Sequence, residues 1–116
     1  MRNNIYQRTE VLLGEETLKK LAEKRVLLFG LGGVGGACFQ TLVRLGIKHF
    51  TIVDNDCFSL SNLNRQSLST LETINKSKVD VAIEFAKQIN EEIEVEGKKM
   101  FYLPENRDQI DFSSFD

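Results

Sequence analysis

Arg25-Val-Leu-Leu-Phe29 running into Gly30-Leu-Gly-Gly-Val-Gly-Gly36 is the stretch that decides the fold. Arg25–Phe29 is a short apolar run, as expected of a buried strand. Ala37–Leu45 carries Cys38, Leu42 and Leu45 on one stripe, which predicts a helix, and Gly46 is a good stop for it. Phe50–Val53 is a second buried-type strand, closed by Asp54. Arg25–Asp54 is therefore a strand–glycine turn–helix–strand unit of βαβ length. Within it, Gly30-x-Gly32-x-x-Gly35 fits a dinucleotide fingerprint. The first glycine permits the tight turn and the next lets phosphates approach the backbone. The start of the helix offers free N–H groups and a positive dipole end to an anion. Asp54 can accept hydrogen bonds from ribose hydroxyls. The plainer alternative is a glycine turn needed only for close helix–strand packing. The strand before it, the helix after it and the acid at the second strand's end tell against that. No Gly-Lys-Ser/Thr follows the glycines, so the turn is not a P-loop. Up to this point the residues suit an NAD-dependent enzyme and an ATP-binding one equally.

Outward from this unit, Thr9–Lys24 reads as helix broken at Gly14, with Leu18, Leu21 and Ala22 on one face. Asp54–Asn75 is polar, rich in Ser and Asn, and long for a plain loop; long ordered loops are usually functional. A helix is expected from Ser77 to Glu92, with Ser77 as cap, Asp80 three residues on, and Val79, Ala82, Ala86, Ile89 and Ile93 as its buried stripe. A third strand belongs in Glu94–Glu96 or Lys99–Leu103. Pro104 starts another turn, and Asp108–Asp116 is a short acidic connector. The expected class is α/β: Rossmann-like, a mostly parallel sheet with flanking helices, incomplete in its C-terminal half. Residues 1–24 would form an N-terminal helical segment and 25–116 the nucleotide-binding domain.

Composition narrows the function. At 116 residues the chain has room for one core. Hydrophobic residues at 41% and charged residues at 28% exclude broad disorder. A net charge of −2 excludes a globally basic nucleic-acid binder, though not a local basic patch. Lysines 19, 20, 24, 76, 78, 98 and 99 could help hold a nucleic acid, but scattered lysines more often serve solubility. Cys38 and Cys57 are too few for a disulfide framework or a four-cysteine zinc site. Cys38 is expected in the core, and Cys57 has no partner cysteine or base nearby in sequence. His49, the lone histidine, reads as structural or exposed. No apolar run approaches the ~18 residues of a membrane span, and Met1–Glu10 is too polar for a signal peptide. The expected compartment is the cytoplasm.

The loop beyond the second strand chooses the nucleotide. Its informative pieces are Asp54-Asn-Asp56, Ser61-Asn-Leu-Asn-Arg-Gln66 and Asn75-Lys-Ser-Lys78. Arg65 offers a planar fork to phosphate oxygens and Lys78 a point charge at a helix start. Asn62 and Asn64 can bond neutral oxygens or fix Arg65. A dehydrogenase does not need two cations and two amides just past its ribose acid; an enzyme cleaving a triphosphate does.

With Arg8 in Tyr6-Gln-Arg-Thr-Glu10, these pieces resemble the ubiquitin-activating-like superfamily of adenylating enzymes, which includes the bacterial ThiF, MoeB and HesA proteins. The likeness runs from Tyr6 to about Ile93. Arg8-Thr-Glu-x-Leu-Leu-Gly-Glu, with Gly32-Gly-Val-Gly, is most similar to the tRNA threonylcarbamoyladenosine dehydratases. The resemblance implies that Gly33 lies against the nucleotide phosphates while Gly30, Gly32 and Gly35 shape the turn. It implies that Asp54 holds the ribose, that Ser61, Asn62 and Arg65 reach the nucleotide and its phosphates, and that Lys78 contacts the phosphates. Asp56 would be a helper that orients Arg65. Arg8 would be donated across a homodimer into the partner's ATP site, making Arg8, Arg65 and Lys78 the catalytic set. Two positions depart from the pattern: Asn75 stands where Gly is usual, and Gly36 where Ser or another small residue is common. Asn tolerates the left-handed backbone that such a position needs.

The implied reaction uses ATP and Mg²⁺. A carboxylate attacks the α-phosphorus, pyrophosphate leaves and an acyl-adenylate forms. In the dehydratase branch the carboxylate is that of the threonyl group on a tRNA base. A nucleophile within that group then closes a ring and expels AMP. In the other branch it is the C-terminal glycine of a ubiquitin-like sulfur-carrier protein. The superfamily's metal-handling aspartate follows its next core strand and is expected beyond residue 116, so no metal ligand is assigned here. The chain is accordingly expected to be the front of a larger, dimeric enzyme, to bind ATP weakly and not turn over alone, and to leave a sheet edge unpaired near its C-terminus. Two other classes compete. An NAD-dependent oxidoreductase would share the glycines. A non-catalytic scaffold, like the pseudo-enzyme halves of heterodimeric activating enzymes, tends to lose the glycines and Arg8, which this chain keeps.

Overall fold

Alternation along three five-residue strands sorts their side chains onto two faces. β1 (Arg25–Phe29), β2 (His49–Val53) and β3 (Glu94–Lys98) form a parallel sheet in the order β1-β2-β3. Val26 stands level with Phe50, and Phe50 with Val95. The computed structural model that shows this describes residues 5–100 and 103–116. Both connections between strands are helical: α3 (Gly33–Leu45) leads from β1 to β2, and α4 (Lys78–Ile89) from β2 to β3. Val26, Leu28, Phe50, Ile52 and Val95 turn toward those helices and meet Phe39, Val43, Val79, Ala82 and Ala86. Phe39 packs edge-on against Phe50, with ring centres 5.0 Å apart. The Rossmann-like parallel α/β arrangement expected from the sequence is present.

Two shorter helices, α1 (Gln7–Leu13) and α2 (Glu15–Glu23), precede the sheet and are separated at Gly14, as the sequence predicts. Leu21 packs against the core. Short 3-10 helices occur at Leu60–Asn62, Pro104–Gln109 and Phe112–Ser114. β1 lies at one edge of the sheet. There Asp116 N–H donates to the Arg25 carbonyl at 2.8 Å and Phe29 stacks with Phe112, so the last described residues cover part of an edge expected to be unpaired. Among the described residues no helix is long and apolar enough to cross a membrane.

Two expectations are corrected. α3 starts at Gly33, not Ala37, and its buried face is Gly36, Phe39 and Val43. That face is rotated from the Cys38–Leu42–Leu45 stripe, so Cys38 is exposed rather than in the core. The third strand occupies the first of the two windows and runs on to Lys98. Lys99–Met100 lie outside it; Phe101 and Tyr102 of the second window are outside the described residues. His49 is half-buried and its Nδ1 lies 2.9 Å from Glu94 on the neighbouring strand, a structural pairing.

Candidate nucleotide site

The C-terminal ends of β1 and β2 are tied together. Gly30 N–H donates to the Val53 carbonyl at 2.8 Å, so the chain leaves β1 beside Asp54. Gly30 then takes φ +87°. A Cβ on Gly35 would collide with the Gly30 carbonyl, so the first turn of α3 lies directly on the end of β1. Only glycine permits that approach. Gly32 precedes Gly33, which opens α3 and is itself exposed. The free N–H groups of that first turn, with the dipole behind them, face the same side as Asp54.

Asp54 does more than offer a ribose contact. It is 9% exposed. Its Oδ2 accepts from Leu31 N–H at 2.6 Å and its Oδ1 from Asp56 N–H at 2.8 Å. One carboxylate thus stitches the glycine turn to the following loop through two charge-assisted bonds. Each oxygen keeps a lone pair for a hydroxyl.

The polar stretch from Asp54 to Asn75 is an ordered clasp. Phe58 N–H donates to the Lys76 carbonyl at 2.9 Å, Asn75 N–H to the Phe58 carbonyl at 2.8 Å, and Lys78 N–H to the Asp56 carbonyl at 2.9 Å. Asn75 reverses the chain there with φ 69°, the left-handed conformation expected of it. Ser59 N–H donates to Asn62 Oδ1 at 2.9 Å. That closes the 3-10 turn and leaves Asn62, which is buried, its amide NH₂ to offer a ligand. Ser61 is exposed, with its hydroxyl 3.0 Å from that of Ser59. Arg65 Nη1 donates to the Ser61 carbonyl at 3.0 Å and to Asn64 Oδ1 at 3.3 Å. The expectation that Asp56 orients Arg65 is replaced by this arrangement. Arg65 folds back one turn over its own loop, and Asp56 acts through its backbone, holding Lys78 N–H. The Arg65 carbonyl lies 3.7 Å from where a Cβ on Gly33 would stand, so loop and glycine turn adjoin.

Lys78 opens α4, with Ser77 Oγ accepting from Asp80 N–H as its cap. Its side chain is not a solvated surface lysine: the residue is 6% exposed and its Nζ lies 5.6 Å from the centre of the Phe58 ring. Among the described residues no carboxylate pairs with it. The stem is buried and the ammonium has no carboxylate beside it among the described residues, so an anionic ligand would supply the opposite charge. Phe58 was not foreseen as its platform; the signal available was an aromatic residue isolated in a polar run. Gln66 Oε1 and Ser69 Oγ are also buried without a hydrogen-bond partner.

Gly30, Gly32, Gly33, Gly35, Asp54, Asp56, Ser61, Asn62, Arg65 and Lys78 are therefore brought to one end of the molecule. Arg8 is not. It is exposed on α1, and its neighbour Tyr6 reaches the Val43 carbonyl in the last turn of α3. The 13 residues of α3 span about 20 Å from there to the glycine turn. A cavity of about 450 Å³ at that far end is lined by Tyr6, Glu10 and Lys19 from the side of α1 and α2 and by Lys48 and Asn90 from the segments after α3 and α4. Among the described residues no three of His, Cys, Asp and Glu are grouped to hold a metal ion.

Comparison with known proteins agrees with this geometry. Residues 6–116 match the ThiF family. A tRNA threonylcarbamoyladenosine dehydratase of Bacillus subtilis is 36% identical over 105 residues, which is 90% of this chain and 41% of that protein. A molybdopterin-synthase adenylyltransferase of Escherichia coli is 42% identical over 82 residues, 71% of this chain and 32% of that one. The crystal structure of the E. coli tRNA N6-threonylcarbamoyladenosine dehydratase in complex with ATP superposes with a TM-score of 0.88 at 32% identity, covering 91% of this chain and 44% of that one. The chain spans less than half the length of each of these relatives.

Proposed function

The chain belongs to the ThiF family, and from that premise we propose that it uses ATP to adenylylate a carboxylate. The observation that carries this reading is Lys78: a lysine with a buried stem and no carboxylate partner among the described residues, at a helix start, beside a turn of free backbone N–H groups. Such a site is built for a polyphosphate. The structure of a similar dehydratase with ATP bound supports the choice of nucleotide.

In this reading the glycine turn and the N-terminus of α3 take the phosphates, and Asp54 takes the ribose. Arg65 and Lys78 neutralise charge as it shifts toward the departing pyrophosphate. Ser61 and the amide of Asn62 position the nucleotide. The carboxylate attacks the α-phosphorus in line and leaves as the acyl-adenylate. Residues 1–24 form an arm and residues 25–116 the nucleotide-binding body. Arg8, on a helix tethered at the opposite end of α3 from its own glycine turn, acts in the site of a second copy.

The carboxylate substrate is the threonyl group of threonylcarbamoyladenosine in tRNA, so that ring closure and loss of AMP complete a dehydration in the cytoplasm. A second reading, activation of a ubiquitin-like sulfur carrier, is favoured by the 42% identity to the molybdopterin-synthase adenylyltransferase. Titration with ATP in competition with NAD tests the first step: ATP is expected to bind and NAD not to displace it. Displacement by NAD at equal concentration would make the protein an oxidoreductase. Mass spectrometry of tRNA from a deletion strain separates the two substrates, since unchanged cyclic threonylcarbamoyladenosine removes the dehydratase.

A further inference from the structure

Tyr6-Gln-Arg8 joins a residue with a proposed role to one with none. α1, which carries Arg8, is suspended between two points. None of Gln7–Leu13 is buried, and Val11 and Leu12 are each 84% exposed. At its far end Gly14 has φ 90° and ψ 156°, a backbone that a side chain would strain, so α1 meets α2 at a sharp joint. At its near end Tyr6 is 8% exposed. The Tyr6 hydroxyl donates to the Val43 carbonyl at 3.4 Å and accepts from Asn90 Nδ2 at 3.3 Å. Val43 lies in the last turn of α3, where carbonyls lack helical partners. Asn90 ends α4, is 3% exposed, and is itself fixed by Glu92 N–H donating to its Oδ1 at 3.0 Å. The ring edge of Tyr6 lies about where a Cβ on Gly46 would touch it, 4.0 Å away.

α3 and α4 are the two helices whose first residues, Gly33 and Lys78, stand at the nucleotide site. A single phenol therefore links α1 to the far ends of both. We infer that Tyr6 is a positioning residue: by bridging the Val43 carbonyl and the Asn90 amide it fixes where α1 presents Arg8 to a second copy's site. This rests on the role of Arg8 proposed above. Tyr6 is buried at the opposite end of α3 from its own glycine turn, so it acts through α1 and not on the nucleotide. A tyrosine that merely stabilised the body would affect binding whether or not Arg8 were present. One that acts through Arg8 has no effect once Arg8 is gone.

A double-mutant cycle in ATP affinity separates these. Arg8→Ala is expected to weaken ATP about tenfold, as loss of a charge-assisted hydrogen bond does. Tyr6→Ala should weaken it by a similar factor, and the double variant no further than Arg8→Ala alone. Tyr6→Phe, which keeps the ring beside Gly46, should recover part of the loss. Equal weakening by Tyr6→Ala in both backgrounds overturns the inference and leaves Arg8 standing. So does an unweakened Tyr6→Ala where Arg8→Ala is weakened. A silent Arg8→Ala overturns both, the role of Arg8 first. Should Tyr6→Ala fail to fold, Tyr6→Phe replaces it in the cycle with the same two readings.

Discussion

The two ends of α3 are built on different principles. At its start, position is set mainly by backbone: Gly30 bonded to Val53 and Gly35 pressed on the Gly30 carbonyl, with the Asp54 carboxylate tying two further backbone N–H groups to them. At its end, α1 is held by the side chain of Tyr6, with no buried residue of its own. Backbone contacts tolerate almost no displacement, which suits a cradle for phosphates. A side-chain tether across a cavity leaves α1 free to be adjusted by whatever it meets, which suits a helix that presents one residue outward.

The largest way to break this contrast is Gly35→Ala. The new methyl meets backbone rather than a flexible side chain. The turn must open, at a cost of about 3 kcal/mol in unfolding free energy by urea titration, with ATP binding lost. A Gly35→Ala chain of native stability would mean that α3 does not sit on β1 as described. Lys78→Met separates binding from folding. It removes a charge that no described carboxylate balances and keeps an apolar stem in the same buried place, so the denaturation midpoint should hold or rise. ATP affinity should fall about tenfold or more, the scale of a hydrogen bond to a charged group. A fall in both would mean that Lys78 serves the core through Phe58 and not the ligand. Lys99→Ala sets the floor. Its Nζ lies 2.7 Å from Asp80, but both side chains are more than half exposed. Loss of that pair should change stability by no more than about 0.5 kcal/mol in the same titration.

What could be read in advance follows the same contrast. The strand–turn–helix–strand unit was legible because apolar runs and glycines report local geometry directly. So was Asn75, since few residues other than Gly accept the left-handed backbone found there. The start of α3 was not. Five glycines between residues 30 and 36 have poor helix propensity, and packing on β1 overrides it. Counting from Ala37 then turned the helix so that Cys38 read as core in place of Phe39. β3, with Glu94, Glu96, Gly97 and Lys98, has few of the residues that mark a buried strand and is fixed by its pairing with β2. The site residues were legible as types in a spacing. Their arrangement was not: the clasp of 56–58 on 75–78 closes across about twenty residues with no periodicity to announce it. Nor does any lysine declare from sequence that it will be buried against an aromatic ring.

Lys78 has a consequence for the protein as a thermodynamic system. With its stem buried and no described carboxylate beside its ammonium, the folded chain holds an unbalanced positive charge at the helix start that the unfolded chain does not concentrate there. Any polyanion that reaches the glycine turn discharges it, so occupancy and folding are linked functions. Nucleotide, pyrophosphate and even the phosphate of a buffer become ligands of the native state. Under the adenylylation proposed above, release of a product is opposed by the same charge that draws the substrate in.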